Sequence, residues 1–203
     1  PALSGIKFST LCGDGTLQTF SVSADGKFGA PEKREKIFDA DTDPLYVVGE
    51  RAGDKLIFMS FNGNVYTSSD KDGAAKLVDK FSITEGVEGG WAPGGIEVIA
   101  YNEPNDVLFV TMHPDAKEGS HKDAATEIWP VDMKTKKVLY RSVVEGVKSI
   151  AVTQTKVPTL FGLNDDEGVL TRYGVDPDAR FAIKLTGKLE DMGSFAPLVY
   201  AGE

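Results

Sequence analysis

His113 and His121 are the chain's two histidines, and both fall in one polar run, His-Pro-Asp-Ala-Lys-Glu-Gly-Ser-His-Lys-Asp, beside Asp115, Glu118 and Asp123. Imidazole and carboxylate groups that close together could ligate a divalent cation. Their spacing follows no ligand helix, and the Gly, Lys and Ser between them suit a solvated loop, so the run reads as an interaction loop with no metal. Asp39-Ala40-Asp41-Thr42-Asp43 alternates carboxylates as a calcium loop does, but it lacks the Gly and terminal Glu of EF-hand spacing. It and Asp165-Asp166-Glu167 read as solvated turns. There is no Gly-x-Ser-x-Gly elbow, and a Ser-His-Asp set would have to use one of the two loop histidines. Gly13–Gly15 and Gly86–Gly95 open no predicted helix and lead into no Gly-Lys-Ser/Thr, so they are not phosphate loops. The chain is therefore expected to carry no catalytic, cofactor-binding or metal-binding set of its own.

Trp91-Ala92-Pro93-Gly94-Gly95 is the most distinctive short segment. Pro93 restricts the residue before it to extended backbone, and the glycine pair lets the chain turn beside a bulky indole. It reads either as a core tryptophan with a rigid connection into Ile96–Ala100 or as a packed platform at a subunit contact, where Trp is enriched. The formal net charge of −9 and a pI near 4.8, with no Lys/Arg block, disfavour nucleic acid and anionic membranes as partners. Apolar stretches fall far short of the roughly 20 residues of a membrane helix. With 41% hydrophobic residues the chain can build a core. One cysteine, Cys12, excludes an internal disulfide and a cysteine-based metal site.

The elements that must position these residues are strands. Apolar and polar residues alternate in short bursts between Gly/Asp/Asn turns, and no stripe of helical period is sustained. Ile6–Leu11 and Thr16–Ser23 flank a turn at Cys12–Gly15. Lys55–Ser60 and Asn64–Ser69 flank Phe61-Asn62-Gly63, whose Asn-Gly step is a strong hairpin signal. Val107–Met112 and Thr126–Val131 flank the long polar loop, and Thr159–Leu163 and Val169–Tyr173 flank Asn164–Gly168. A further strand is predicted after each hairpin, near Lys27, Ala75, Val138 and Arg180. An apolar run precedes the last three, at Leu45–Val48, Ile96–Ala100 and Ser149–Val152. Units of about four strands recur at steps of 48 residues (Gly15 to Gly63) and 44 residues (Asp132 to Asp176). That recurrence predicts an all-β β-propeller of about four blades over residues 1–203, in preference to a β-sandwich.

Several of these residues together resemble one family. Gly90-Trp91-Ala92-Pro93-Gly94-Gly95, Ala100-Tyr101-Asn102, Val107–Met112 with His113-Pro114-Asp115-Ala116-Lys117-Glu118-Gly119-Ser120-His121-Lys122, Ala125–Trp129, and Asp132-Met133-Lys134-Thr135 are similar, in order, to the heavy (alpha) subunit of tryptophan tryptophylquinone amine dehydrogenases. The His113–Lys122 run is closer to aromatic amine dehydrogenase than to methylamine dehydrogenase. Leu11-Cys12-Gly13-Asp14-Gly15-Thr16-Leu17 is similar to the family's Cys-x-Asp-Gly-Ser-Leu strand and turn.

The resemblance implies a seven-bladed propeller in the periplasm, paired with small light (beta) subunits in a two-plus-two (alpha2beta2) complex. It places the tryptophan tryptophylquinone and the catalytic aspartate on the light subunit, leaving the heavy chain as a scaffold. That scaffold walls the substrate entrance for a primary, aromatic amine and flanks the docking surface of a blue-copper acceptor of azurin or amicyanin type. It further implies that the chain is the C-terminal part of a longer heavy subunit, and that Cys12 pairs with a cysteine lying upstream of Pro1. Trp91, Pro93, His113 and His121 are the residues expected at the partner contact. Two other functions compete: a stand-alone, lactonase-like propeller holding a metal on axial carboxylates, and a plain interaction module.

Overall fold

In a computed structural model of the chain, residues 6–31, 33–69, 76–117, 120–192 and 198 are described. The backbone contacts divide it into two compact units, residues 1–81 and 82–203.

The first unit holds two antiparallel sheets. One joins β1 (Ile6–Leu11), β2 (Thr16–Val22) and β3 (Lys33–Lys36) in that order. The other joins β4 (Leu45–Ala52), β5 (Lys55–Ser60), β6 (Asn64–Ser69) and β7 (Lys76–Ser82). The turns lie where the sequence puts them. The Cys12 carbonyl accepts from the Gly15 N–H at 2.9 Å and closes β1 onto β2, and the Ser60 carbonyl accepts from the Gly63 N–H at 3.1 Å between β5 and β6. Leu17, Ile37 and Phe38 pack against Leu56, Phe58 and Tyr66 to form this unit's core.

The second unit also holds two sheets. β8 (Ala92–Pro93) and β9 (Ile99–Asn102) both pair with β10 (Val107–His113), β10 pairs with β11 (Ala125–Asp132), and β11 pairs with β12 (Lys137–Val138) and β13 (Ser142–Val147). The last sheet runs β14 (Ser149–Val152), β15 (Thr159–Asn164), β16 (Val169–Asp176), β17 (Ala182–Leu189). Every residue of β10 is buried, including Thr111 and His113, as a mainly apolar strand paired on both edges should be. Side chains from both sheets, among them Phe109, Ile128, Val144, Ile150, Leu160 and Tyr173, form one core. Amide side chains sew the sheets together: Asn102 Nδ2 donates to the Thr153 carbonyl at 2.8 Å, and Gln154 Nε2 donates to the Tyr101 carbonyl at 2.8 Å. No helix of the described residues is long and apolar enough to cross a membrane.

Two acidic turns depart from expectation. Asp43 is not solvated: it is 4% exposed, because the turn after Asp39 folds it under the β5–β6 hairpin. Asn62 Nδ2 donates to its Oδ1 at 3.0 Å, Asn64 Nδ2 donates to its Oδ2 at 2.8 Å, the Tyr66 hydroxyl donates to the same oxygen, and Lys80 Nζ stands 3.4 Å away. Asp165 is likewise buried, with Lys148 Nζ at 3.6 Å, while Asp166 beside it stays exposed and pairs with the same lysine at 2.5 Å.

Burial raises the Asp43 carboxyl's pKa, but donors from Ser60, Tyr66, Asn64 and Asn62 outweigh it and leave the group below the ordinary carboxylate value. A depressed folded-state pKa contributes stability that is fully present above the unfolded value of about 3.9 and is lost as pH falls through the lower, folded one. Urea midpoints measured from about pH 5 down to pH 2 should therefore decline less steeply in Asp43→Asn than in the parent chain.

Candidate functional site

The site is built where β8 meets the end of β10. Pro93 stands opposite Met112 and Ala92 opposite His113. The Thr111 hydroxyl donates to the Gly94 carbonyl at 2.8 Å, and the Gly94 N–H donates to the Thr111 carbonyl at 3.2 Å. On the other side of Trp91, the Asp115 and Ala116 N–H groups donate to the Gly89 and Gly90 carbonyls, both at 2.9 Å. The glycine-rich strap and the first residues of the polar loop are thus laced together, which brings Trp91, Pro93 and His113 to one place. His121 has its backbone in the short turn Ser120–Lys122 of the same loop. Its side chain and Glu118 lie outside the described residues.

Burial separates the three. Pro93 is buried and His113 is 4% exposed, its ring packed so closely on Gly94 that an added Cβ there would come within 2.3 Å of Cδ2. Nδ1 of His113 lies 3.2 Å from the Pro114 carbonyl, at donating distance, and Nε2 has no partner among the described residues. Trp91 is half-buried.

Three further residues complete the cluster: Glu127 and Trp129, which lie in the Ala125–Trp129 run, and Arg141, which no motif included. The rings of Trp91 and Trp129 are 5.3 Å apart at 46°. The Arg141 guanidinium carbon lies 4.3 Å from the centre of the first ring and 4.7 Å from the second, within cation–π range of both. Glu127 holds that guanidinium with two bonds, Arg141 Nε to Oε2 at 2.7 Å and Nη2 to Oε1 at 3.1 Å. The same Oε2 accepts from the Trp129 indole N–H at 2.6 Å. Glu127 and Trp129 share a face of β11 because strand side chains repeat every second residue. Arg141 arrives opposite them because β13 pairs Ser142 with Ile128. Period and register are the signals that could have found this set.

What the arrangement can do is recognise and brace. It presents a half-exposed indole backed by a fixed cation, a combination typical of contact surfaces. Among the described residues no three His, Cys, Asp or Glu side chains gather as a metal-binding group. A cleft beside Asn164 and Thr171 encloses about 130 Å³, well below the roughly 300 Å³ at which ligand pockets begin, and Lys188 pairs with Glu145 at 2.9 Å on its wall.

Comparison with known proteins agrees on one family. Residues 3–200 match the family model described as methylamine dehydrogenase heavy chain (MADH). The chain is 26% identical over 191 residues to the methylamine dehydrogenase heavy chain of Methylobacillus flagellatus, covering 92% of this chain and 46% of that one. It is 27% identical over 179 residues to the heavy chain of Methylorubrum extorquens, covering 84% and 42%. The chain therefore spans under half the length of these relatives. Among solved structures, the Cps50 (Swd1) β-propeller domain of Myceliophteria thermophila superposes with a TM-score of 0.57 at 11% identity, over 92% of this chain and 56% of that one. A protein from Lactobacillus plantarum superposes with a TM-score of 0.55 at 12% identity, over 96% and 56%. The fold is an all-β propeller, and the repeated sheets are its blades.

Proposed function

The chain belongs to the methylamine dehydrogenase heavy chain family, and from that premise we propose that it serves as the non-catalytic scaffold of a periplasmic quinoprotein amine dehydrogenase. The family match across residues 3–200 is the observation that carries this. In this reading the reaction is oxidative deamination of primary amines to aldehyde and ammonia. The tryptophan tryptophylquinone that accepts the substrate's electrons sits on the light subunit, and a blue-copper protein takes them onward. This chain's residues hold no part of that cofactor; they form blades that carry the light chain in an alpha2beta2 complex, within one propeller domain.

Trp91, backed by Arg141 and Trp129, is the contact offered to the light chain, with Asp115 and Ala116 of the polar loop laced beside it and His121, farther along that loop, as a further proposed contact. His113 and Pro93 act beneath that surface as the packing that sets the strap. Aromatic amines are the proposed substrates, on the strength of the His113–Lys122 run. The named relatives are methylamine dehydrogenases, so methylamine is the competing substrate. Cys12, half-buried at the end of β1 and accepting from Gln18 Nε2 at 3.2 Å, is proposed to form a disulfide with a cysteine outside these 203 residues.

Purification of the protein from its native source tests the reading. The heavy chain should bring with it a small, cysteine-rich subunit and a quinone absorbance, and the preparation should reduce a dye when given an aromatic amine faster than when given methylamine. A non-reducing peptide map of the same preparation should show Cys12 joined to a second peptide. An active monomer with one bound metal ion and no second polypeptide would overturn the assignment.

A further inference from the structure

We propose that the Asn62-Gly63 step at the tip of the β5–β6 hairpin is a spontaneous deamidation site that Asp43 holds in check. The reaction is intramolecular. The Gly63 backbone nitrogen attacks the Asn62 side-chain carbonyl carbon, its proton passes to solvent base, Nδ2 leaves as ammonia, and a succinimide ring closes. Water then opens the ring at either carbonyl. Asparagine and water become aspartate or isoaspartate and ammonia, with no oxidant or reductant. Glycine after the asparagine favours the attack because it has no side chain to obstruct the ring and the fewest backbone restrictions.

The folded turn opposes each step. Asn62 is exposed, so water and base reach it, but its Nδ2 donates to Asp43 Oδ1 at 3.0 Å and to the Thr42 carbonyl at 3.5 Å. The attacking nitrogen belongs to buried Gly63, at φ +76°, and its N–H is committed to the Ser60 carbonyl at 3.1 Å. Asp43 is itself fixed by Asn64, Tyr66 and Lys80, so the amide it holds cannot swing freely. Attack therefore waits on a local opening of the hairpin tip, and its rate follows the population of that open form.

The product cannot return to the closed arrangement. A carboxylate at position 62 replaces a donor with a negative charge facing the buried Asp43 carboxylate at hydrogen-bond distance, and two carboxylates sharing a site repel. Lys80, 47% exposed on its side chain, is the one cation paired with Asp43 among the described residues and already serves the existing charge. The modification is thus one-way: once made, it unlatches the 39–44 turn from the hairpin.

The experiment is timed incubation of the full-length protein in mildly alkaline buffer, with mass-spectrometric mapping of the peptide containing residue 62 and fragmentation that separates aspartate from isoaspartate. The native protein should deamidate at Asn62 about 5–30-fold more slowly than the same protein in urea, the factor that one or two contacts of restraint are worth. Asp43→Asn should raise the native rate several-fold while amide exchange in β10 and β11 stays unchanged. Independently of that variant, Asn62→Asp should lower the Tm, and adding Asp43→Asn should restore part of the loss. Equal rates in buffer and urea, an Asp43→Asn chain that ages like the parent, or an Asn62→Asp chain with the parent's Tm would each overturn the proposal.

Discussion

Gly95→Ala is expected to lower the unfolding free energy of the full-length protein by about 3–5 kcal/mol. Two effects combine. Gly95 sits at φ +127°, a conformation that an L side chain rarely adopts, and an added Cβ would lie 2.4 Å from the Lys148 carbonyl oxygen and 3.0 Å from its carbon. That carbonyl cannot move away cheaply, because it accepts from the Ile96 N–H at 2.6 Å and from the Glu97 N–H at 3.2 Å, and Glu97 bridges to Ser149. The contact is where the strap carrying Trp91 fastens to the strand of the next blade. Gly86→Ala is the control: its φ is +74°, but nothing lies within 4 Å of the new carbon, so it should cost only about 1 kcal/mol of backbone strain. Denaturant unfolding of both variants decides the matter. If the two lose the same amount, the close approach to Lys148 carries no energy and the strap is not fastened there.

The hairpins were the legible part of this fold, because each is specified by strands adjacent in the chain. Asn62-Gly63 sets the β5–β6 register, and the apolar run Val107–Val110 that opens β10 announces a strand covered on both faces. The outer strands were harder to place. Asp25-Gly26 does make a turn, with the Ser23 N–H donating to the Lys27 carbonyl at 2.9 Å, yet only an isolated Val22–Phe28 bridge follows it. Gly29, Ala30 and donor-less Pro31 support no ladder, and pairing resumes at Lys33–Lys36. After Lys134–Lys136 the predicted strand at Val138 is two residues long, and the true edge of that sheet is Ser142–Val147. Its burial alternates, but polar Ser142 is buried and apolar Val143 exposed, so residue type does not announce it. The site was legible in part. Trp91, Pro93 and His113 were found as motif residues, but Glu127 and Arg141 acquire a role only through the pairing of β11 with β13, which spans a turn and a short strand. Asp43 was misplaced for a similar reason: an acidic turn looks solvated until the hairpin that folds over it supplies two asparagines and a tyrosine.

Trp129→Ala should cost about 3–5 kcal/mol, and most of the interest lies in how that loss divides. Trp129 is fully buried, so part is the apolar surface and cavity that any large core residue leaves behind. The rest belongs to the cluster: removing the indole takes away the N–H that Glu127 accepts, one of the two rings under Arg141, and the ring that supports Trp91. Arg141→Ala isolates the second share. Arg141 is 40% exposed on its side chain, so solvent screens its ion pair with Glu127, and the single change should cost about 1 kcal/mol. Arg141→Lys should recover little of that, since an ammonium reproduces neither the planar stack nor the two-bond grip on Glu127. In a double-mutant cycle the pair should lose about 0.5–1.5 kcal/mol less than the sum of the singles, the range expected for contacting residues joined by a cation–π contact and a shared carboxylate. On the proposed light-chain contact, the same coupling should appear in binding, because Trp91 stacks on both Arg141 and Trp129. Strict additivity in stability, together with unchanged light-chain affinity in Trp91→Ala, would reduce the cluster to ordinary core packing and take the proposed contact surface with it.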